Sequence, residues 1–217
     1  MNHPGISHVK GAEIRKLTDN GVIAAARTGD MRAFSELVRR YEQTVYRYSF
    51  KLCRDREKAE ETFQDTFINV YRKLGTFDGR SRFSTWLYAI VTNNCLMRHR
   101  RRKIREIEES LEALESPATS ADGKFAHEIA RWDETPADIV MDKELRAEIE
   151  KEIGKLPPDY RIVFTLRDME GKSTEETARI AGISKEAAKS RLRRARAFLR
   201  DQLTPYMARP VRRRADR

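Results

Sequence analysis

One short turn constrains this chain more than any other stretch. Gly182-Ile183-Ser184 stands between two helical patterns, one over residues 173–181 and one over residues 185–196. Ser173 followed by Glu176 fits a capping box, and Ser184 fits the cap of the second helix. Ala178 and Ala181 are small enough to let two helices cross closely. Ala188, Leu192, Ala195 and Leu199 step by four, three and four residues, which predicts one buried stripe. The remaining faces carry Lys185, Lys189, Arg191, Arg193, Arg194 and Arg196. This is the pattern of a helix-turn-helix whose second helix suits a DNA major groove.

The whole chain agrees with a polyanionic partner. Its 217 residues leave room for one domain or two small ones, and its formal net charge is +10. Phosphate contacts would then supply much of the affinity and make it salt-dependent. No apolar run approaches the length that spans a bilayer, so no membrane insertion is expected. Met1 to Asn20 lack the apolar core of a signal peptide. Cys53 and Cys95 fall inside amphipathic helical patterns, which favours buried thiols over a disulfide and a reducing cytoplasm.

Strand signals are nearly absent, so the chain reads as all-α. Residues 1–20 read as a flexible N-terminus. Helices are expected over Val22 to Thr28, through the apolar face Phe34, Leu37, Val38, Tyr41, Val45 and Tyr48, and from about Arg56 to Leu74. The third has Ala59, Phe63, Phe67, Val70 and Leu74 as its buried side. A loop over Thr76 to Ser84 leads to a fourth helix, from about Thr85 to Arg102, with a cationic end at Arg98 to Lys103. Residues 21–105 thus form a first helical domain. Residues 106–138 are acidic and poor in large apolar groups, and read as a flexible linker, helical at its start near Ile107 to Leu114. Phe125, Ile129 and Trp132 interrupt that polar text. A second small helical domain occupies 139–205, where Pro157-Pro158 end one helix and start the next. A basic tail covers 206–217.

Two further constellations bear on function. Glu60, Glu61, Gln64, Asp65 and Asn69 share polar surface on one helix, either a solvated face or a docking surface for a protein. Phe77-Asp78-Gly79-Arg80-Ser81-Arg82-Phe83-Ser84-Thr85-Trp86 interleaves cations with aromatics. Aromatics at helical spacing usually make core, yet such a mixture also suits unpaired nucleic acid, with bases stacked on rings and cations on the backbone. Asn93 or Asn94 could pair with an adenine edge. The Arg98 to Lys103 run is either a solvated face or a phosphate-binding one.

Taken together, these residues resemble a bacterial RNA polymerase sigma factor of the extracytoplasmic function group, in the sigma-70 family. The resemblance covers about 24–103 and about 139–203. Glu61-Thr62-Phe63-Gln64-Asp65-Thr66-Phe67 and Phe83-Ser84-Thr85-Trp86-Leu87-Tyr88-Ala89-Ile90-Val91-Thr92-Asn93 resemble the family's region 2. Leu156-Pro157-Pro158-Asp159-Tyr160-Arg161 and the run from Gly182 to Arg196 resemble its region 4.

The resemblance implies partners and roles. Glu61, Gln64, Asp65 and Phe67 would dock onto core RNA polymerase. Phe77, Arg80, Arg82, Phe83, Trp86, Asn93, Arg98 and Arg101 would contact the −10 element of promoter DNA, where a flipped base costs a few kcal/mol to extrude. Ser184, Lys185, Lys189, Ser190, Arg191 and Arg194 would contact the −35 element, each good base contact being worth about 1–3 kcal/mol of discrimination. Three positions depart from the family pattern: Met97 is apolar near the promoter strand, and Ala187 and Ala188 offer no side-chain hydrogen bonds. The resemblance also implies an anti-sigma partner, a stress or envelope response, and no cofactor. A conventional helix-turn-helix regulator would explain residues 172–199 but not the first domain. An enzyme is disfavoured, because His3, His8, His99 and His127 are scattered and no Cys/His metal spacing or phosphate-binding loop is present.

Overall fold

The computed structural model describes the backbone of residues 11–113 and 143–207, and side chains over 13–102 and 145–204. The described elements are helical. They are α1 (Gly11–Ile14), α2 (Asp19–Arg27), α3 (Met31–Cys53), α4 (Arg56–Lys73), α5 (Phe83–Ala113), α6 (Lys143–Lys155), α7 (Pro158–Phe164), α8 (Thr174–Ala181) and α9 (Lys185–Met207). The sequence dictates most of the boundaries through side-chain caps. Asp30 accepts from Arg32 N–H at 2.8 Å and Ala33 N–H at 3.2 Å, and Asp55 accepts from Lys58 N–H at 3.0 Å. Each fills an orphan donor of a helix start. Between these caps, Arg54 ends α3 in the left-handed region at φ 57°.

The helices of the first half pack α3 against α2, α4 and α5 around Leu37, Val45, Tyr48, Leu52, Val70, Leu87 and Val91, all buried. Burial of each such side chain is worth about 1.5–3 kcal/mol. The buried face of α4 differs from the expected one. Thr62 and Thr66 lie at its centre, fully buried with Ala59 and Val70, while Phe63 and Phe67 are half-buried flanks. The Thr66 hydroxyl donates to the Thr62 carbonyl at 2.7 Å, which satisfies it and turns its methyl into the core. Asn94 then donates to Thr66 Oγ1 at 3.1 Å and accepts from Asn69 at 2.9 Å, a small polar network joining α4 to α5.

Three expectations need correction. The segment read as a flexible N-terminus enters the fold from Gly11. Ile14 is buried, and Asp19 accepts from Arg40 at 2.8 Å and Tyr41 at 2.6 Å. The fourth helix begins at Phe83 and continues to Ala113, so the Arg98 to Lys103 run lies within a helix and does not end it. The expectation of helix near Ile107 agrees with this as far as Ala113. Third, the two halves share a core. Ile162, Leu166 and Ile180 from the second half join the apolar cluster of the first. The second half adds its own smaller cluster of Ile153, Leu156, Ala195 and Leu199. Residues 1–10, the acidic stretch with Phe125, Ile129 and Trp132, and the tail with Arg212 to Arg214 lie outside the described residues.

The seam between the halves is polar at its edge. Glu170 accepts from Lys51 Nζ at 2.6 Å and from the Tyr88 hydroxyl at 2.6 Å. Lys172 Nζ lies 4.7 Å from the centre of the Tyr88 ring, within cation–π range. Arg161 donates to the Leu52 carbonyl at 2.8 Å, and Arg54 donates to the Glu150 carbonyl at 2.6 Å. Glu170 reaches the seam because Thr165–Met169 form a π-helical turn after α7, closed by Glu170 N–H on the Thr165 carbonyl.

Candidate nucleic-acid interface

The helix-turn-helix is built as the sequence requires. Ser173 Oγ accepts from Glu176 N–H at 3.1 Å, and Glu176 accepts from Ser173 N–H at 2.9 Å, a complete capping box. Gly182 takes φ 65°, a conformation that side chains rarely adopt, so α8 ends there. Ser184 Oγ accepts from Ala187 N–H at 3.1 Å and starts α9. Ala188, Ala195 and Leu199 are buried as expected, whereas Leu192 is only half-buried at the stripe's margin.

The long cations of α9 therefore turn outward, and several are held by carboxylates. Lys185 pairs with Glu175 at 2.9 Å, Arg191 with Asp159 at 3.5 Å, and Arg196 donates twice to Asp168 at 2.9 and 2.6 Å. Lys185 holds the Glu175 carboxyl below its ordinary range, with help from Glu175's own backbone N–H. Arg194 reaches the Tyr160 hydroxyl at 3.4 Å. Lys189 is exposed, and Ser190 is half-buried. The six residues expected at a −35 element thus share one end of one helix, with Ser184 engaged in capping.

The aromatic loop corrects the expectation more strongly. Phe77 and Phe83 are each 6% exposed, and they are core. Their rings meet edge to face at 5.4 Å, Tyr41 packs on Phe83 at 5.1 Å, and Trp86 packs on both at 5.4 and 5.5 Å. Such ring pairs add about 0.5–1.5 kcal/mol beyond their burial. Neither phenylalanine is available to stack a base. Trp86 is half-buried, and Arg80, Arg82, Asn93, Met97 and Arg101 are exposed. Residues 86, 93, 97 and 101 follow the helical repeat, so Trp86, Asn93, Met97 and Arg101 form one outward stripe of α5. Arg80 folds back on Asp78 at 3.3 Å. Asn94, the other candidate amide, is committed to Asn69 and Thr66.

Arg98 is also corrected. Its guanidinium pairs with Glu61 and, at 2.5 Å, with Asp65, so it ties α5 to α4 and does not stand free for phosphate. The expected docking residues on α4 divide likewise. Glu61 and Gln64 are exposed and Asp65 half-exposed, but Phe67 is half-buried against the core. Sequence reasoning missed Ile68 and Tyr71, which are 49% and 58% exposed. With Glu61 and Gln64 they repeat every three or four residues along one face of α4. The available signal was their spacing: large apolar groups in register with a polar face and out of register with the buried one.

Comparison with known proteins agrees with both halves. Residues 37–104 match the family description Sigma-70 region 2, and residues 146–199 match Sigma-70, region 4. The chain is 30% identical over 191 residues to the RNA polymerase sigma-H factor of Pseudomonas aeruginosa, covering 87% of this chain and 95% of that protein. It is 31% identical over 182 residues to the ECF RNA polymerase sigma factor SigW of Bacillus subtilis, covering 83% and 94%. Among solved structures, the fold is similar to the sigma factor RpoE of Bartonella quintana in complex with the anti-sigma factor NepR. That match has a TM-score of 0.60 at 24% identity, over 79% of this chain and 96% of that one. It is also similar to CnrH in complex with the cytosolic domain of CnrY, with a TM-score of 0.57 at 24% identity, over 86% and 97%. No helix among the described residues is long and apolar enough to cross a membrane.

Proposed function

This chain belongs to the sigma-70 family of RNA polymerase sigma factors, in its extracytoplasmic function group, and on that premise we propose how its surfaces divide the work of initiation. As a sigma factor it binds core RNA polymerase and directs promoter-specific transcription initiation. The exposed face of α4, with Glu61, Gln64, Ile68 and Tyr71, docks on core polymerase. Its apolar pair supplies the contact area and its polar members the register. The α5 stripe of Trp86, Asn93, Met97 and Arg101, with Arg80 and Arg82 on the loop before it, contacts the −10 element. Lys189 and Arg194 lead the contacts to the −35 element, with Lys185, Ser190 and Arg191 beside them. Polymerase supplies the chemistry, and this chain supplies promoter choice in the cytoplasm, in a stress or envelope response.

The observation that carries this reading is that one chain has three separate exposed surfaces: the mixed apolar and polar face of α4, the stripe of α5 and the outward cations of α9. A conventional helix-turn-helix regulator has no use for the first. One similar structure is a complex with an anti-sigma factor, which supports an anti-sigma partner here as well.

Run-off transcription with purified core polymerase on a genomic fragment library tests the proposal. New discrete starts that share −35 and −10 motifs at one spacing are expected. DNA binding without core, and no new starts, would overturn it in favour of a conventional regulator.

A further inference from the structure

Two thiols that initiation does not use face each other at the seam. Cys53 is the last residue of α3 and Cys95 lies within α5, and their Sγ atoms are 3.8 Å apart. A disulfide needs about 2.05 Å, so a closure of under about 2 Å would join them. The two thiols are not equivalent. Cys53 is half-buried, whereas Cys95 is buried. The Thr62 hydroxyl lies 3.4 Å from Cys53 Sγ.

The surroundings favour a thiolate at Cys53 over one at Cys95. The hydrogen-bonded contact with Cys95 holds the Cys53 thiol below its ordinary value, with Thr62 and the charges of Arg98 and Arg161 acting the same way against burial. The same hydrogen bond and burial push the Cys95 thiol up. Arg161 is a second-half residue whose charge reaches both sulfurs, and its Nε is buried without a partner. An anion at Cys53 therefore meets a cation supplied across the seam. A reactive cysteine needs thiolate character and access together, and Cys53 has more of each than Cys95.

We propose that Cys53 and Cys95 form a peroxide-sensitive dithiol, with Cys53 the attacking sulfur and Cys95 the resolving one. The Cys53 thiolate attacks one oxygen of a hydroperoxide. The O–O bond breaks, the alkoxide or hydroxide leaves and takes up a proton, and Cys53 becomes a sulfenic acid. Cys95 sulfur then attacks Cys53 sulfur. The S–O bond breaks, and hydroxide leaves as water with the Cys95 proton. Two thiols lose two electrons and one hydroperoxide is reduced to an alcohol (or water) and water.

The position gives the bond a consequence. Leu52 and Arg54 flank Cys53, and both are held by the second half, through Arg161 and Glu150. Closing the disulfide draws this stretch toward α5 and so acts on the contact between the halves.

The test treats the reduced full-length chain, alone, with one to five equivalents of hydrogen peroxide, then alkylates and maps it. The expected result is a loss of two hydrogens per chain, a peptide cross-link between Cys53 and Cys95, and recovery of both thiols with dithiothreitol. In Cys95→Ser, dimedone should label Cys53 at least tenfold faster than it labels Cys95 in Cys53→Ser. Hydrogen exchange over residues 143–164 should change at least twofold on oxidation and revert on reduction. Two free thiols after peroxide, or cross-links only between chains, would overturn the dithiol. Faster labelling of Cys95 would overturn the order of attack, and a disulfide with unchanged exchange over 143–164 would overturn its action on the seam. Wild-type mapping needs no variant, so the proposal stays testable if Cys95→Ser does not fold. No polymerase is present, so failure here leaves the initiation reading untouched.

Discussion

The surfaces proposed for −10 and −35 DNA, on α5 and α9, are assembled in opposite ways. On α5 the large side chains turn inward, with Phe77 and Phe83 in the core, and one narrow stripe is left outside. On α9 the inward positions are small, Ala188 and Ala195, so the helix lies close to its neighbours and its long cations turn out. The first surface sets an amide, Asn93, and the half-buried Trp86 among Arg80, Arg82 and Arg101, suited to holding a base that has left its stack. The second is a cationic edge on a small-residue seam, suited to duplex phosphates and base edges. Residue type thus reports different things in the two places: the phenylalanines leading into α5 report core, and the long cations of α9 report surface.

The sharpest way to break that contrast is Phe83→Ala. A buried aromatic in contact with three other rings should cost about 3–5 kcal/mol of stability, read by urea denaturation. Arg82→Ala, one residue away and exposed, should stay within about 0.5 kcal/mol. A stable Phe83→Ala that had lost only promoter melting would return this ring to the DNA surface.

The seam comes next. Glu170→Ala removes the seam acceptor shared by Lys51 and Tyr88. The expected cost is about 1.5–3 kcal/mol, seen as a lower urea midpoint. An unchanged midpoint would mean that the two halves are independent.

Contacts to DNA rank below these. Lys189→Ala should weaken −35 binding about uniformly across sequences and reduce the salt slope by about 1. Asn93→Ala should cost about 1–3 kcal/mol of discrimination at one −10 position if its amide reads a base edge, with little change in salt slope. Both are read in the polymerase holoenzyme. The reverse pattern, a salt effect from Asn93 and base discrimination from Lys189, would invert the comparison.

How much of this was legible follows from the range of the forces. The helix-turn-helix was readable but for Leu192, expected in the buried stripe and found half-buried, because caps, the Gly182 turn and the Ala188, Ala195 and Leu199 positions are local. The polar core of α4 was not, because a threonine in a sequence reads as surface until its hydroxyl has a partner, and Thr66 finds its partners only at the Thr62 carbonyl and Asn94, and Thr62 only at the Cys53 sulfur. Arg98 failed for a related reason. A cation in a basic run reads as free, but Glu61 and Asp65 reach it from another helix. The seam was invisible for the same cause: Glu170 meets Lys51 and Tyr88 across more than 80 residues of chain. Long-range pairing decides these cases, and no spacing rule contains it.

The smallest predicted effect follows from where the carboxylates sit. In the first half, Glu36 accepts twice from Arg39 and once from Arg40, each at 2.8 Å, and all three belong to the scaffold. These hydrogen bonds, Arg39's first, hold its carboxyl at about 2 instead of the ordinary 4.5. A carboxyl held low stabilises the fold fully above about 4.5, and that contribution fades as pH falls from there through about 2. Glu36→Gln should therefore flatten the acid arm of the stability curve across this window and leave DNA affinity alone. In the second half the comparable pair is Glu175 with Lys185, on the DNA side of α9, and there too the carboxyl is held low. Glu175→Gln should release Lys185 toward phosphate, raising −35 affinity slightly at low salt, and should flatten the acid arm in the same direction as Glu36→Gln but by less. If instead neither variant moved affinity, the carboxylates of the two halves would share one structural role, and the cations of α9 would owe nothing of their availability to their partners.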